Sequence, residues 1–293
     1  MGGLLNMTDA AGVIAALGRG EAANRSARCR RKSIEYIEPP GVLIATGDLH
    51  DNPVHYAKLL SAAGMTEDGP VGTPKHLTLH EIIHSDRLIN GVDLSYRALT
   101  RMAALKARYP EHVHILLGNH ELAQLTKAGI LKDGVKSVEA FSAGVEYVFG
   151  GDAEEVSAAI NGFIRSMPIA LKAHTARGDI LCSHSLPPAA MMSRFDTTVL
   201  SRDLVDEDYQ PRGAAHVMTW GRGYDAEGLE DLVERWGVWM FVLGHEKAEN
   251  GVKFVAPNAI ILNSDHERGV YLPIDLENPP RPEEAMMQVV PLV

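Results

Sequence analysis

From residue 41 onward, short apolar runs break off at polar residues able to hold a metal. The run "GVLIATGDLH" (41–50) stops at Asp48 and His50, and "LTLHEIIHSD" (77–86), a poorer strand, stops at Asp86. "HVHILLGNHE" (112–121) ends at Asn119 and His120, "DILCSHSLPP" (179–188) at His184, and "VWMFVLGHE" (238–246) at His245. Between these runs lie stretches of helical period, such as "LSYRALTRMAALKARY" (94–109) and "DAEEVSAAINGFIRSM" (152–167). Strand-like runs alternating with helical ones predict an α/β domain. In such domains ligands gather beyond the carboxyl ends of the strands. The five strand ends are therefore expected to bring their Asp, Asn and His side chains to one place.

The first forty residues have a different texture. "TDAAGVIAALGRG" (8–20) predicts a short helix with Thr8 as N-cap and Gly18 near its end. A polar connector follows, up to Pro39 and Pro40, so residues 1–40 are expected as a helix-and-linker appendage to a domain spanning 41–293. The basic cluster Arg25, Arg28, Arg30, Arg31 and Lys32 reads as part of that solvated connector.

Composition narrows the class without changing it. The 293 residues are 45% hydrophobic and 23% charged, as in an ordinary globular chain. A net charge of −10 argues against nonspecific nucleic-acid binding, which needs an excess of Lys and Arg to neutralise phosphates. Two cysteines, Cys29 and Cys182, do not suggest a disulfide framework. No apolar run reaches membrane-spanning length, and the expected location is the cytoplasm.

Taken singly the motifs are weak, and His84 and His114 read as satisfied histidines of apolar strands. In order, and each at a strand end, they are specific. "GDLHDN", "GNHE", "CSHSLPP" and "LGHE" resemble the calcineurin-like metallophosphoesterases, most closely the phosphoprotein phosphatase branch and its bacterial relatives. The similarity extends through "LKARYPEHVHILLGNHE" (105–121) and "FIRSMPIALKAHTARGDILCSHSLPP" (163–188) and covers roughly residues 41–275.

This resemblance implies a two-sheet β-sandwich flanked by helices (α/β/β/α) and two adjacent metal ions. Asp48 and His50 would hold the first, Asp86 would bridge both, and Asn119, His184 and His245 would complete the second. A mixed imidazole and oxygen set suits Mn, Fe or Zn. Two cations about 3.5–4 Å apart can clamp a phosphate and stabilise the attacking and leaving oxygens. The reaction implied is in-line attack of a metal-bridging hydroxide on phosphorus, with His120 as general acid. Arg222, in "MTWGRGY" (218–224), resembles the phosphate-clamping region of bacterial members. Asp265, His266 and Arg268 read as a solvated turn near the pocket rim.

One segment departs from the pattern. The family spells its bridging motif Gly-Asp, two variable residues, then Asp-Arg-Gly. With Asp86 as the bridge, Ser85 replaces the glycine, and Ile89, Asn90 and Gly91 stand near the place of the second Asp-Arg pair. Asn90 or Asp93 would then orient His120, and Arg87 or Arg222 would grip phosphate. The leading expectation is a phosphomonoesterase acting on a phosphoprotein or small phosphate ester. The alternatives are hydrolysis of phosphodiesters or dinucleoside polyphosphates, and a noncatalytic metal- or phosphate-binding protein.

Overall fold

The computed structural model describes residues 5–132 and 134–293. In chain order its strands are β1 (Arg30–Arg31), β2 (Ile34–Ile37), β3 (Val42–Thr46), β4 (His76–Leu79), β5 (Val113–Ile115), β6 (Leu131–Lys132), β7 (Val135–Lys136), β8 (Ala170–Ala173), β9 (Asp179–Ser183), β10 (Val238–Leu243), β11 (Val252–Val255), β12 (Ala259–Leu262), β13 (Val270–Asp275) and β14 (Val290–Pro291). Among the described residues they form a seven-stranded sheet, β1-β2-β8-β9-β10-β12-β11, a five-stranded sheet, β14-β13-β3-β4-β5, and the hairpin β6-β7. The principal helices of the first half are α1 (Ala10–Ser26), α2 (Pro53–Ala62), α3 (Tyr96–Arg108), α4 (Asn119–Thr126), α5 (Ser137–Phe149) and α6 (Ala153–Ser166).

The two sheets pack face to face. Leu43 and Ala45 of β3 and Leu272 and Ile274 of β13 share one apolar cluster with Leu171 of β8, Ile180 and Cys182 of β9, Met240 and Val242 of β10, and Ile260 of β12. The intervening residues point the other way: Ile44, Leu77 and Leu79 join Leu59, Leu99 and Met102 of α2 and α3, and Phe241 and Leu243 join Leu229, Leu232 and Trp236 of the helix Ala226–Trp236. Both faces of the central strands are thus buried, which is why their sequences are continuous apolar runs rather than alternating ones. The expected sandwich flanked by helices is the one observed.

Residues 5–40 are built into this architecture, not appended to it. β2 pairs in parallel with β8, Ile34 opposite Ala170 and Ile37 opposite Ala173. The helix begins one residue later than predicted, with Asp9 as N-cap, and runs through Gly18 and Gly20 to Ser26. Gly20 does not stop it. A Cβ there would sit 2.7 Å from the Cβ of Ala103, so the glycine allows α1 and α3 to cross closely. Val13 and Leu17 are fully buried, and Asn24 donates to the Ser166 hydroxyl of α6 (2.9 Å).

A buried ionic network joins this segment to α3 and β5. The Lys106 ammonium of α3 donates to Glu35 Oε1 (2.8 Å) and to the carbonyls of Pro110 (2.9 Å) and Val113 (2.7 Å). Glu35 Oε2 meets His114 Nδ1 at 2.5 Å, and all three side chains have no solvent exposure. Burial alone would raise the Glu35 carboxyl. The Lys106 charge and the His114 contact more than offset that and hold it at about 2. His114 is thus a satisfied histidine, as its place on an apolar strand suggested.

Candidate active site

Four of the five strand ends bring their polar residues together. β3, β4 and β5 run parallel, as do β9 and β10. Asp48 makes the link between sheets, bridging to His80 beyond β4 and to Asn263 beyond β12. Gly47 is where the sheets come closest: a Cβ there would overlap the Leu262 carbonyl. The loop after β3 is zipped to the turn after β4 by bonds from Leu49 N (3.2 Å) and His50 N (2.7 Å) to the Glu81 carbonyl and from Asp51 N to that of Ile82 (2.9 Å). His50, Glu81, His84 and His245 all lie in the left-handed region, with φ of 41°, 52°, 60° and 66°. Non-glycine residues held there store strain of about 1–3 kcal/mol each and cluster at functional sites.

Three ligand-type atoms form a tight triangle. His184 Nε2 lies 2.8 Å from Asn119 Oδ1 and 3.1 Å from His245 Nδ1, and the last two are 3.0 Å apart. Bonds of about 2.1 Å to a transition metal place neighbouring octahedral ligands about 3.0 Å from one another. Glu81 Oε2 approaches His184 Nε2 to 3.6 Å, on the edge of the same set. Burial, reinforced by nearby imidazoles, pushes His184 well below its ordinary value. Burial and the Arg222 charge take His245 down to about 3. Both rings are therefore neutral, the form that ligates metal. The donor set fits a transition-metal ion.

Glu81, not Asp86, is the carboxylate brought among these groups. Its Oε1 lies 3.5 Å from His120 Nε2 and 4.0 Å from His50 Nε2. His50 Nδ1 faces the Ile83 carbonyl (3.1 Å), which it serves as donor, leaving Nε2 toward Glu81. Asp48, on the other side, accepts from the His245 amide through both oxygens (2.9 and 3.1 Å). Among the described residues, carboxylate and imidazole groups close enough to share an ion include Asp48, His80 and His184, and His50, Glu81 and His120; Asp86 is in neither. Asp86 is exposed and lines a cavity of about 90 Å³ beside His84. Asp86 lies apart from these groups because β4 ends at Leu79 and the chain turns at Glu81, while the buried Ile82 and Ile83 prolong the apolar run past the strand end.

The remaining expected residues are placed as follows. His120, at the start of α4, stands edge-on to His50 (ring centroids 5.1 Å apart), and its Nδ1 meets His84 Nδ1 at 2.8 Å. Arg222 is exposed and anchored at the site by a bond from Nη1 to the His245 carbonyl (3.1 Å). Arg87 is exposed and bound to Asp51, through its carboxylate (3.0 Å) and its carbonyl, on the His50 side. Asp93 accepts from Ser95 N (2.8 Å) and Oγ (2.9 Å). Asp265, His266 and Arg268 lie in the bend between β12 and β13, where the Asp265 carbonyl accepts from Asn52 (2.9 Å).

Four residues were not singled out as site residues from sequence. Besides Glu81 and His84, His80 uses Nε2 to bond the Thr46 carbonyl (2.8 Å) and turns Nδ1 to His184 Nδ1 (3.0 Å), holding that ring from behind. Glu121, fully buried, accepts from the amides of Ile82 (2.7 Å) and Ile83 (3.1 Å) and so secures the turn that presents Glu81. Its place in "GNHE", directly after His120, was the available signal.

No protein-family model matches the chain, and no curated protein does. Solved structures do. A protein serine/threonine phosphatase from Saccharomyces cerevisiae with similarity to human phosphatase PP5 superposes with a TM-score of 0.63 at 15% identity, over 91% of this chain and 83% of that one. A cold-active protein-tyrosine phosphatase from a psychrophilic Shewanella superposes with a TM-score of 0.60 at 17% identity, over 83% and 77%. The chain has the fold of the calcineurin-like metallophosphoesterases. No helix among the described residues is long and apolar enough to cross a membrane.

Proposed function

We propose that this chain is a metal-dependent phosphoesterase, acting on phosphomonoesters. The observation that carries the reading is the triangle of His184, His245 and Asn119 at the spacing of metal ligands, with Glu81 between it and His50. The phosphatase names of two proteins sharing the fold agree with it. Asp48, His50 and Glu81 would hold one ion, and Glu81, Asn119, His184 and His245 the other, with Glu81 shared between them. Two Mn, Fe or Zn ions bound there would supply the Lewis acidity for attack on phosphorus.

The chain's own groups supply the rest. His120 protonates the leaving-group oxygen, a role suited to an imidazole near neutral pH. Arg222, held by the His245 carbonyl, and Arg87, held by Asp51, would bind phosphate oxygens that the ions leave free. Glu121, His80 and the left-handed turns hold these groups in place before substrate arrives. Hydrolysis of p-nitrophenyl phosphate with added Mn²⁺, beside bis-p-nitrophenyl phosphate, tests the reading. Turnover of the monoester at least about tenfold faster is expected, given what positioned groups contribute. Inertness toward both esters with metal bound would leave a binding protein, and preference for the diester would make it a phosphodiesterase.

A further inference from the structure

The contact between His84 and His120 belongs to a longer chain of hydrogen bonds whose direction can be worked out. The Ser142 hydroxyl donates to the Val138 carbonyl (2.8 Å) and so has no proton left for another partner. Gln124 must therefore present its Nε2 to Ser142 Oγ (3.2 Å), which turns its Oε1 toward His84 Nε2 (3.3 Å). An amide oxygen only accepts, so His84 carries its proton on Nε2 and offers the Nδ1 lone pair to His120, 2.8 Å away. His120 then keeps a proton on Nδ1 and directs Nε2 into the site.

His84 is itself held firmly. It is 2% exposed, its amide donates to Ser95 Oγ (3.1 Å), and that hydroxyl donates to the buried Asp93. Its ring also stands edge-on to Phe141.

We propose that His84 is a positioning residue, a neutral acceptor whose polarity is set by Gln124 and Ser142 and which aims His120 Nε2 at the leaving group. The proposal rests on the reading of His120 as general acid. In that step a hydroxide, formed when water gives one proton to solvent, adds to phosphorus and the P–O bond to the leaving group breaks. His120 enters as the imidazolium; its Nε2 proton passes to the departing oxygen, the Nδ1 proton stays bonded to His84, and solvent returns a proton to Nε2 after the product leaves.

The test uses the full chain with manganese and two substrates that differ in leaving group, p-nitrophenyl phosphate and phenyl phosphate. A poor leaving group needs the acid more. His84→Leu is expected to lose about tenfold more kcat on phenyl phosphate than on p-nitrophenyl phosphate, with KM little changed. His84→Asn places an amide oxygen where the Nδ1 acceptor was, and is expected to recover most of the difference. Gln124→Met, which removes the polarity lock while keeping the ring, is expected to show the same bias more weakly. A downfield His120 Nδ1 proton resonance is expected in the unmodified protein and in His84→Asn, and not in His84→Leu.

Equal losses on both substrates for His84→Leu and Gln124→Met would overturn the proposal, and so would a His84→Asn variant no better than His84→Leu. If His84→Leu does not fold, Gln124→Met and the resonance decide. If His120→Ala shows the leaving-group bias and the His84 and Gln124 variants do not, this inference fails alone. If His120→Ala shows no bias, the general-acid reading fails and takes the inference with it.

Discussion

Replacing Lys106 by methionine removes one charge from the interior and leaves its partner behind. The ammonium has no solvent exposure and directs its donors at Glu35 Oε1, the Pro110 carbonyl and the Val113 carbonyl. Without it, Glu35 keeps only the His114 contact and has no water to turn to. Breaking a buried pair from one side costs about 3–5 kcal/mol. Two carbonyls losing a charged donor act in the same direction, so about 4 kcal/mol is a conservative figure. That is a large share of the roughly 5–15 kcal/mol that keeps a typical domain folded. Equilibrium urea unfolding followed by tryptophan fluorescence measures it. With a slope of about 3 kcal/mol per molar, the midpoint falls by more than about 1 M. The double variant Glu35→Leu/Lys106→Met removes both charges and is expected to regain at least half of the loss, because apolar replacement of a buried pair is often nearly neutral. A single variant within about 1 kcal/mol of the parent, or a double variant as unstable as the single, would refute the reasoning.

Three further outcomes follow from the same geometry. Because Glu35 is held at about 2 against an ordinary 4.5, its contribution is complete above about pH 4.5 and is lost as pH falls toward 2; the stability gap between the parent and Glu35→Gln should shrink by about 3 kcal/mol over that interval in urea titrations. A Cβ at Gly244 would overlap Asp48 Oδ1 and His80 Cε1, so Gly244→Ala is expected to fold, by circular dichroism, yet to retain less manganese after desalting than the parent. Arg222→Leu is expected to raise KM for p-nitrophenyl phosphate about tenfold, the equivalent of one charge-assisted hydrogen bond, and an unchanged KM would remove Arg222 from phosphate binding.

The convergence of Asp48, Asn119, His184 and His245 was legible because each directly follows an apolar run. Asp86 was misplaced for a physical reason. Glu81 takes a left-handed turn with no glycine or proline to announce it, and Ile82 and Ile83 remain apolar because the turn packs into the core. A reading that ends a strand where apolarity ends therefore overshoots. The second Asp-Arg pair is missing in either register; His84, three residues after Glu81, went unremarked as a site residue because histidine is commonly buried for packing alone. The incorporation of residues 5–40 was hidden by distance: β2 pairs with β8, far along the chain, and Gly20 serves a helix crossing that only the tertiary structure reveals.

The central claim is that Glu81 is the carboxylate shared by two ions. Manganese bound per chain, measured by mass spectrometry after removal of free ion, tests it on the parent, Glu81→Gln and Asp86→Asn. About two ions per chain are expected for the parent and for Asp86→Asn, and one or fewer for Glu81→Gln, since a bridging ligand serves both sites. Loss of metal in Asp86→Asn, with two ions retained in Glu81→Gln, would contradict it.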